Sequence, residues 1–106
     1  MDLNFLMKQA REMQAKMEEA QARLAETTVE AAAGGGKVTA VVSGKQELVE
    51  IRIDPEVVDP ADVEMLQDLV LAAVNEGLRR SQEAAREEIA KATGGLGGLG
   101  GFPKLF

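Results

Sequence analysis

Seven apolar residues, Leu3, Leu6, Ala10, Met13, Met17, Ala20 and Leu24, follow one another in steps of three and four. The mean step is about 3.5, the repeat that lays one apolar stripe along one side of a long helix. The spacing predicts a helix over residues 3–26, roughly 35 Å long. Its stripe takes heptad positions a and d, and Glu, Lys, Arg and Gln fill the rest. Glu12 with Lys16 and Glu19 with Arg23 stand i,i+4 in the favourable order and read as helix support. A stripe this long needs a cover, so the first question is what the remaining residues supply.

They supply little. From residue 27 the period changes from about 3.6 to 2. Val38, Ala40 and Val42 alternate with Thr39, Val41 and Ser43; Val49, Ile51 and Ile53 alternate with Leu48, Glu50 and Arg52. Each run reads as a strand with one buried face, and SGKQ at 43–46 reads as the turn between them. TTVEAAA at 27–33 is a third, weaker strand joined by GGG, which gives a three-stranded antiparallel meander. In DPEVVDPAD at 54–62, Asp59 is expected to cap a second helix, with Pro60 at its first position and Asp62 in its first turn.

That helix is predicted to run to about Ala92, roughly 48 Å. MLQDLVLAAV at 65–74 is apolar nearly all round and is expected to be buried on more than one side. RRSQEAAREEIAKA at 79–92 is mostly polar and reads as an extension leaving the body of the protein. Gly77 lies near the change and costs about 1 kcal/mol against Ala in a helix interior; close approach of a neighbouring backbone would explain it, and so would chance. Residues 1–93 are read as one domain and 94–106 as a flexible Gly-rich tail. The tail is either a disordered end or a sticky peptide that docks on a protein partner or a neighbouring copy.

A three-stranded sheet has one face for a core and cannot cover two helices of this length. Each large side chain left in water forgoes about 1.5–3 kcal/mol. The expectation is an intertwined homodimer of an α+β fold, with projecting helical arms and an interface of Leu3, Leu6, Met13, Met17, Leu24, Leu69, Val70 and Val74.

The chain of 106 residues contains no His, Cys, Tyr or Trp. Disulfides and thiolate metal sites are excluded, and the usual neutral-pH proton shuttle is missing. No Ser has a His to activate it. A binding or structural role is therefore favoured over an enzyme, with no cofactor. AAAGGGKVT fails as a phosphate loop at both Ala31 and Val38. Asp54, Glu56, Asp59 and Asp62 read as turn and cap residues rather than a metal site. No apolar run spans a bilayer and the start does not read as a signal peptide, so the expected place is the cytoplasm, without membrane contact.

Eighteen acidic against twelve basic residues give a net charge of −6, which taken alone argues against nucleic acid. The positions of the bases matter more than the sum. Lys8, Arg11 and Lys16 lie on helix one, and Arg79, Arg80, Arg86 and Lys91 on the polar half of helix two. Neighbouring acids offset some of them: Glu76 for Arg80, Glu83 for Arg79, Glu87 for Lys91. No aromatic platform is available for stacking single-stranded bases.

The segments MKQAREMQAKMEEAQARLAE, GGGKVTAVVSGKQELVEIRIDPEVV, EMLQDLVLAAVNEGLRRSQE and TGGLGG, in this order, resemble the YbaB/EbfC family over nearly the whole chain. The resemblance implies a small bacterial nucleoid-associated protein folded as helix, three strands, helix. It also implies a dimer whose arms grip double-stranded DNA like tweezers. Carried onto this chain, the DNA-binding positions are Lys8, Arg11, Lys16, Arg79, Arg80, Arg86 and Lys91. The implied role is nucleoid organisation or gene regulation, through phosphate contacts and little base reading. The competing reading is an acidic dimeric scaffold that binds proteins through its tail and helix ends.

Overall fold

The computed structural model describes residues 2–94. Helix α1 (Leu3–Glu26) is followed by β1 (Thr28–Ala33), β2 (Val38–Ser43), β3 (Leu48–Ile53), a 3-10 turn at Pro55–Val57 and helix α2 (Val63–Ala92). The fold is α+β, and the sheet is antiparallel in the order β1-β2-β3. Residues 95–106 of the predicted tail lie outside the described residues. The described chain is elongated, 71 × 26 × 16 Å along its principal axes.

Helix α1 starts where the Asp2 carboxylate accepts the Asn4 N–H at 3.1 Å and ends where the Thr27 N–H and hydroxyl both donate to the Arg23 carbonyl. The start of α2 differs from the sequence reading by about one turn. Asp59 instead caps a turn, accepting the Ala61 N–H at 2.9 Å on its side chain and the Asp62 N–H at 2.9 Å on its carbonyl. Asp62 then caps the helix by accepting the Met65 N–H at 3.2 Å. Either Asp serves as a cap; Pro60 sits in the turn, and the 3-10 turn before it brings Val57 into the core.

Small residues let α2 lie close on the sheet. A Cβ added at Gly77 falls 2.8 Å from Val42 Cγ2 and 3.8 Å from the Cβ atoms of Ala31 and Ala40. One turn later the buried Ser81 hydroxyl donates to the Ser43 carbonyl at 2.6 Å. The neighbour anticipated for Gly77 is thus the β1–β2 surface. Gly77→Val should lower stability by about 2 kcal/mol, because an overpacked contact outweighs the gain in helix propensity. Urea unfolding checks this, and an unchanged midpoint would show that the helix has room to lift.

The core is built from Val38, Ala40, Val57 and Ala73, with Ala33, Leu66, Leu69, Val70 and Val74 packed around them. The buried apolar residues of the described chain are nearly all Ala or Val, with Leu24 the largest, whereas twelve large apolar side chains, nine of them Leu, Ile, Met or Phe, are exposed. Two expectations of burial fail within one chain. β3 is exposed at every residue, with Val49 55% and Ile51 37% accessible. In α2, Leu71 is 60% accessible. The reason is placement: α2 packs over β1 and β2 and leaves β3 uncovered.

Candidate nucleic-acid interface

Beyond the sheet, α2 leaves the body and meets α1, and the two helices form an arm. They run antiparallel there, since Arg23 near the end of α1 pairs with Glu88 while Gln9 and Met13 lie near Ala92 and Gly94. The i,i+4 partnership expected between Glu19 and Arg23 gives way to this cross-helix pair, and Glu12 and Lys16 form no ion pair. The arm is rooted at Gly44, whose N–H donates to the Thr27 carbonyl at 2.8 Å. A Cβ at Gly44 would stand 2.5 Å from the Leu24 carbonyl oxygen.

A cleft of about 840 Å³ runs between the arm helices. Lys16 from α1 and Lys91 from α2, predicted from separate helices, both line it, beside Met13, Glu19, Arg23 and Glu88. Both lysines are exposed, and neither has an acidic partner within 4.0 Å among the described residues. The same holds for Lys8, Arg11 and Arg86; the offset expected from Glu87 to Lys91 does not form. Lys8 and Arg11 sit on the overhanging half of α1, and Arg86 sits on the arm portion of α2.

Arg79 and Arg80 stand apart from this group. Arg79 forms two hydrogen bonds to Glu76, at 3.0 and 2.6 Å, and a third to Glu83 at 2.9 Å. Arg80 donates to Glu76 at 3.0 Å and to the Glu30 carbonyl of β1 at 2.8 Å. Hydrogen bonds from Arg79 and then Arg80 lower the Glu76 carboxyl to about 2, so it is ionised throughout the neutral range. Arg79 is thus held on its own helix, and Arg80 is joined to the sheet. Lys37 and Arg52 are likewise spent, on Asp54 and Glu56 and on Glu30 and Glu50.

Lys45 was missed by the sequence reading. It lies in the β2–β3 turn, next to Gln46 with its φ of +66°, and lines a shallow groove with Gln14, Met17, Glu18, Gln21 and Ala22 of α1. It too has no acidic partner among the described residues. No local pattern marks it; only the return of the hairpin to the root of α1 places it there.

The apolar positions assigned to a dimer divide in two. Leu24 is buried in its own chain against Gly44, and Leu69 packs on Gly34, where an added Cβ would lie 2.8 Å from Leu69 Cδ2. Leu24 is covered within its own chain, whereas Leu69 is half-buried there. Val70 packs partly on the core; Met13 and Met17 are half-buried. Leu3 and Leu6 are open, at 68% and 47% accessible.

Residues 1–96 match the YbaB/EbfC DNA-binding family. The chain belongs to that family. Among YbaB/EbfC relatives, a nucleoid-associated protein of Acetivibrio thermocellus is 60% identical over 101 residues, covering 95% of this chain and 89% of the relative. A nucleoid-associated protein of Alkaliphilus metalliredigens is 54% identical over 105 residues, covering 99% and 89%. An uncharacterized protein of Helicobacter pylori, known from a crystal structure, superposes with a TM-score of 0.75 at 26% identity, covering 88% of this chain and 97% of that one. Among the described residues of this family member, no helix is long and apolar enough to cross a membrane.

Proposed function

We infer that two copies pair through the open corner between α2 and β3, and that the dimer binds double-stranded DNA by phosphate contacts from its arms. The observation that carries the DNA reading is the distribution of unpaired bases. Lys8, Arg11, Lys16, Arg86 and Lys91 all belong to the two arm helices, while Lys37 and Arg52 are tied to acids on the sheet and Lys45 stands unpaired in the β2–β3 turn beside the root of α1. Family membership supports DNA as the polyanion, and the relatives' names support the cytoplasmic nucleoid as the place. Phosphate contacts from mobile Lys and Arg position a protein on DNA without reading bases.

The pairing corner follows from register. Ile51 and Ile53 stand beside Ala40 and Val38, on the sheet face that α2 covers at β2 and leaves bare at β3. On α2, Leu71, Val74 and Leu78 recur at i, i+3 and i+7 along one flank. The opposite flank carries Arg80, which reaches β1; the Leu71 flank therefore faces the β3 side. A second α2 laid over β3 completes the helical layer on the sheet and explains why residues 65–74 are apolar nearly all round. It also fixes the distance between the arms, so weak phosphate contacts on two arms act together.

A mobility shift across a salt series tests the DNA reading. Binding should fall linearly with log salt, with a slope of about −0.9 per phosphate contact. Arg79→Ala with Arg80→Ala should weaken it by less than about fivefold, since exposed charges already paired have little left to give. A larger loss would move the DNA surface toward the body. Absence of binding at low salt would favour the acidic scaffold.

A further inference from the structure

The turn that joins β2 to β3 is tied down on three sides. The Gly44 N–H donates to the Thr27 carbonyl at 2.8 Å, just past the end of α1, and the Gln46 N–H donates to the Ser43 carbonyl at 2.9 Å. The buried Ser43 hydroxyl accepts the N–H groups of Lys45 and Glu47, each at 3.3 Å. From α2, Ser81 donates to the same Ser43 carbonyl at 2.6 Å. Gly44 is buried, whereas Lys45 is exposed. A mobile basic head thus stands on a fixed stem, and a backbone fixed beforehand loses less entropy on binding.

The stem also sets where that head stands. The turn lies at the end of the sheet from which the arm projects, and Lys45 shares a groove of about 430 Å³ with Gln14, Glu18 and Gln21 of α1. Glu18 is the one acid lining it and forms no ion pair with Lys45. Gln14 and Gln21 bring amide N–H donors, and phosphate oxygens accept from Lys and Gln alike. Arg11, Gln14, Glu18 and Gln21 follow one another in steps of three, four and three, so Arg11 continues the same ridge toward the tip. Lys16 comes two residues after Gln14, roughly 200° round the helix, and lines the arm cleft instead. Lys45 and Lys16 therefore border the open face of α1 on opposite sides, at nearly the same level along it.

We propose that Lys45 is a phosphate contact at the root of the arm, and that the DNA backbone crosses its groove with Gln14 and Gln21 as further donors. This rests on the DNA reading above. Duplex DNA carries about one negative charge per 1.7 Å of axis, so a backbone that meets Arg11 offers a phosphate to Lys45 about 10 Å further along α1. Lys37 and Arg52 supply no such contact, because acids already hold them. A contact placed where the arm joins the body fixes how deep the duplex sits, which bases near the tip of α1 do not.

The chain has no cysteine, so Gln46→Cys takes a single tethered iron chelate beside an intact Lys45. With peroxide and ascorbate it should cut a bound duplex, whereas the same chelate on Ala32→Cys, exposed near the far end of β1, should not. Lys45→Gln should weaken binding by about tenfold at low salt and flatten the slope of log affinity against log salt by about 0.9 for each copy engaged. Its urea midpoint should match wild type, since no ion pair holds the side chain, and Lys45→Arg should keep both affinity and slope. No cutting from position 46, or an unchanged slope in Lys45→Gln, overturns the proposal. The DNA reading survives that result if Lys16→Gln with Lys91→Gln still flattens the slope. Absence of any binding by wild type at low salt removes both.

Discussion

Ile51→Asp should convert the protein to a folded monomer and lower its DNA affinity by about a hundredfold or more. Ile51 is 37% accessible in the single chain, so the carboxylate meets water there. Against a second α2 over β3 it is buried without a partner, which costs several kcal/mol. Once the copies part, the arms bind separately, and the gain of two linked contacts, of order 10² to 10⁴, is lost. Sedimentation velocity with circular dichroism checks the first half, and a mobility shift at fixed salt the second. The matched control is Leu6→Asp, which leaves the dimer intact if the corner is the interface. If Leu6→Asp separates the copies and Ile51→Asp does not, the seam runs along α1, as its heptad spacing first suggested.

Lys16→Glu together with Lys91→Glu should weaken DNA binding by about a hundredfold at low salt without changing stability. Both side chains are exposed and no ion pair holds either, so the fold does not depend on them. The proposed dimer would carry the pair twice. If all four positions touch phosphate, neutralising them with Gln flattens the salt dependence by about 3.6 in slope, at about 0.9 per contact. The neutral variant separates loss of contacts from added repulsion. A drop in affinity with an unchanged slope would mean that the charges act at a distance. No drop at all would remove the arm cleft from the DNA surface.

The elements were legible because each rests on local pattern. The 3.5-residue stripe delimits α1, and the alternation around Val38–Val42 and Val49–Ile53 delimits β2 and β3. Gly77 stood out as a glycine inside a helix, but the sequence left close approach and chance equally open; the side chains of Val42, Ala31 and Ala40 decide it. What escaped depends on which element lies over which. Alternation shows that Ile51 has an apolar side but not that α2 stops short of it. The heptad pattern gives Leu24 and Leu3 the same role, yet the hairpin covers one and leaves the other bare. Charge pairing escaped for a similar reason: Arg23 has Glu19 on its own helix and Glu88 on the next, and only packing chooses. Asp59 and Asp62 are equally good caps by type, and the turn chemistry around Pro60 decided between them. In the arm, the unpaired state of Lys16 and Lys91 was open in sequence, because Glu12 and Glu87 stand at the right spacing to neutralise them.

The close fit of Gly44 under the last turn of α1 makes the arm a cantilever clamped at one end. The sheet supports the helix at that clamp, and α1 then runs about 32 Å to its first residue, at 1.5 Å per residue. A tilt of about 5° at the clamp carries the free end about 3 Å, by the same length. In the proposed dimer, two such levers change the gap between their ends by twice that amount. If the dimer grips DNA as proposed, the span between the levers follows local variations in duplex width.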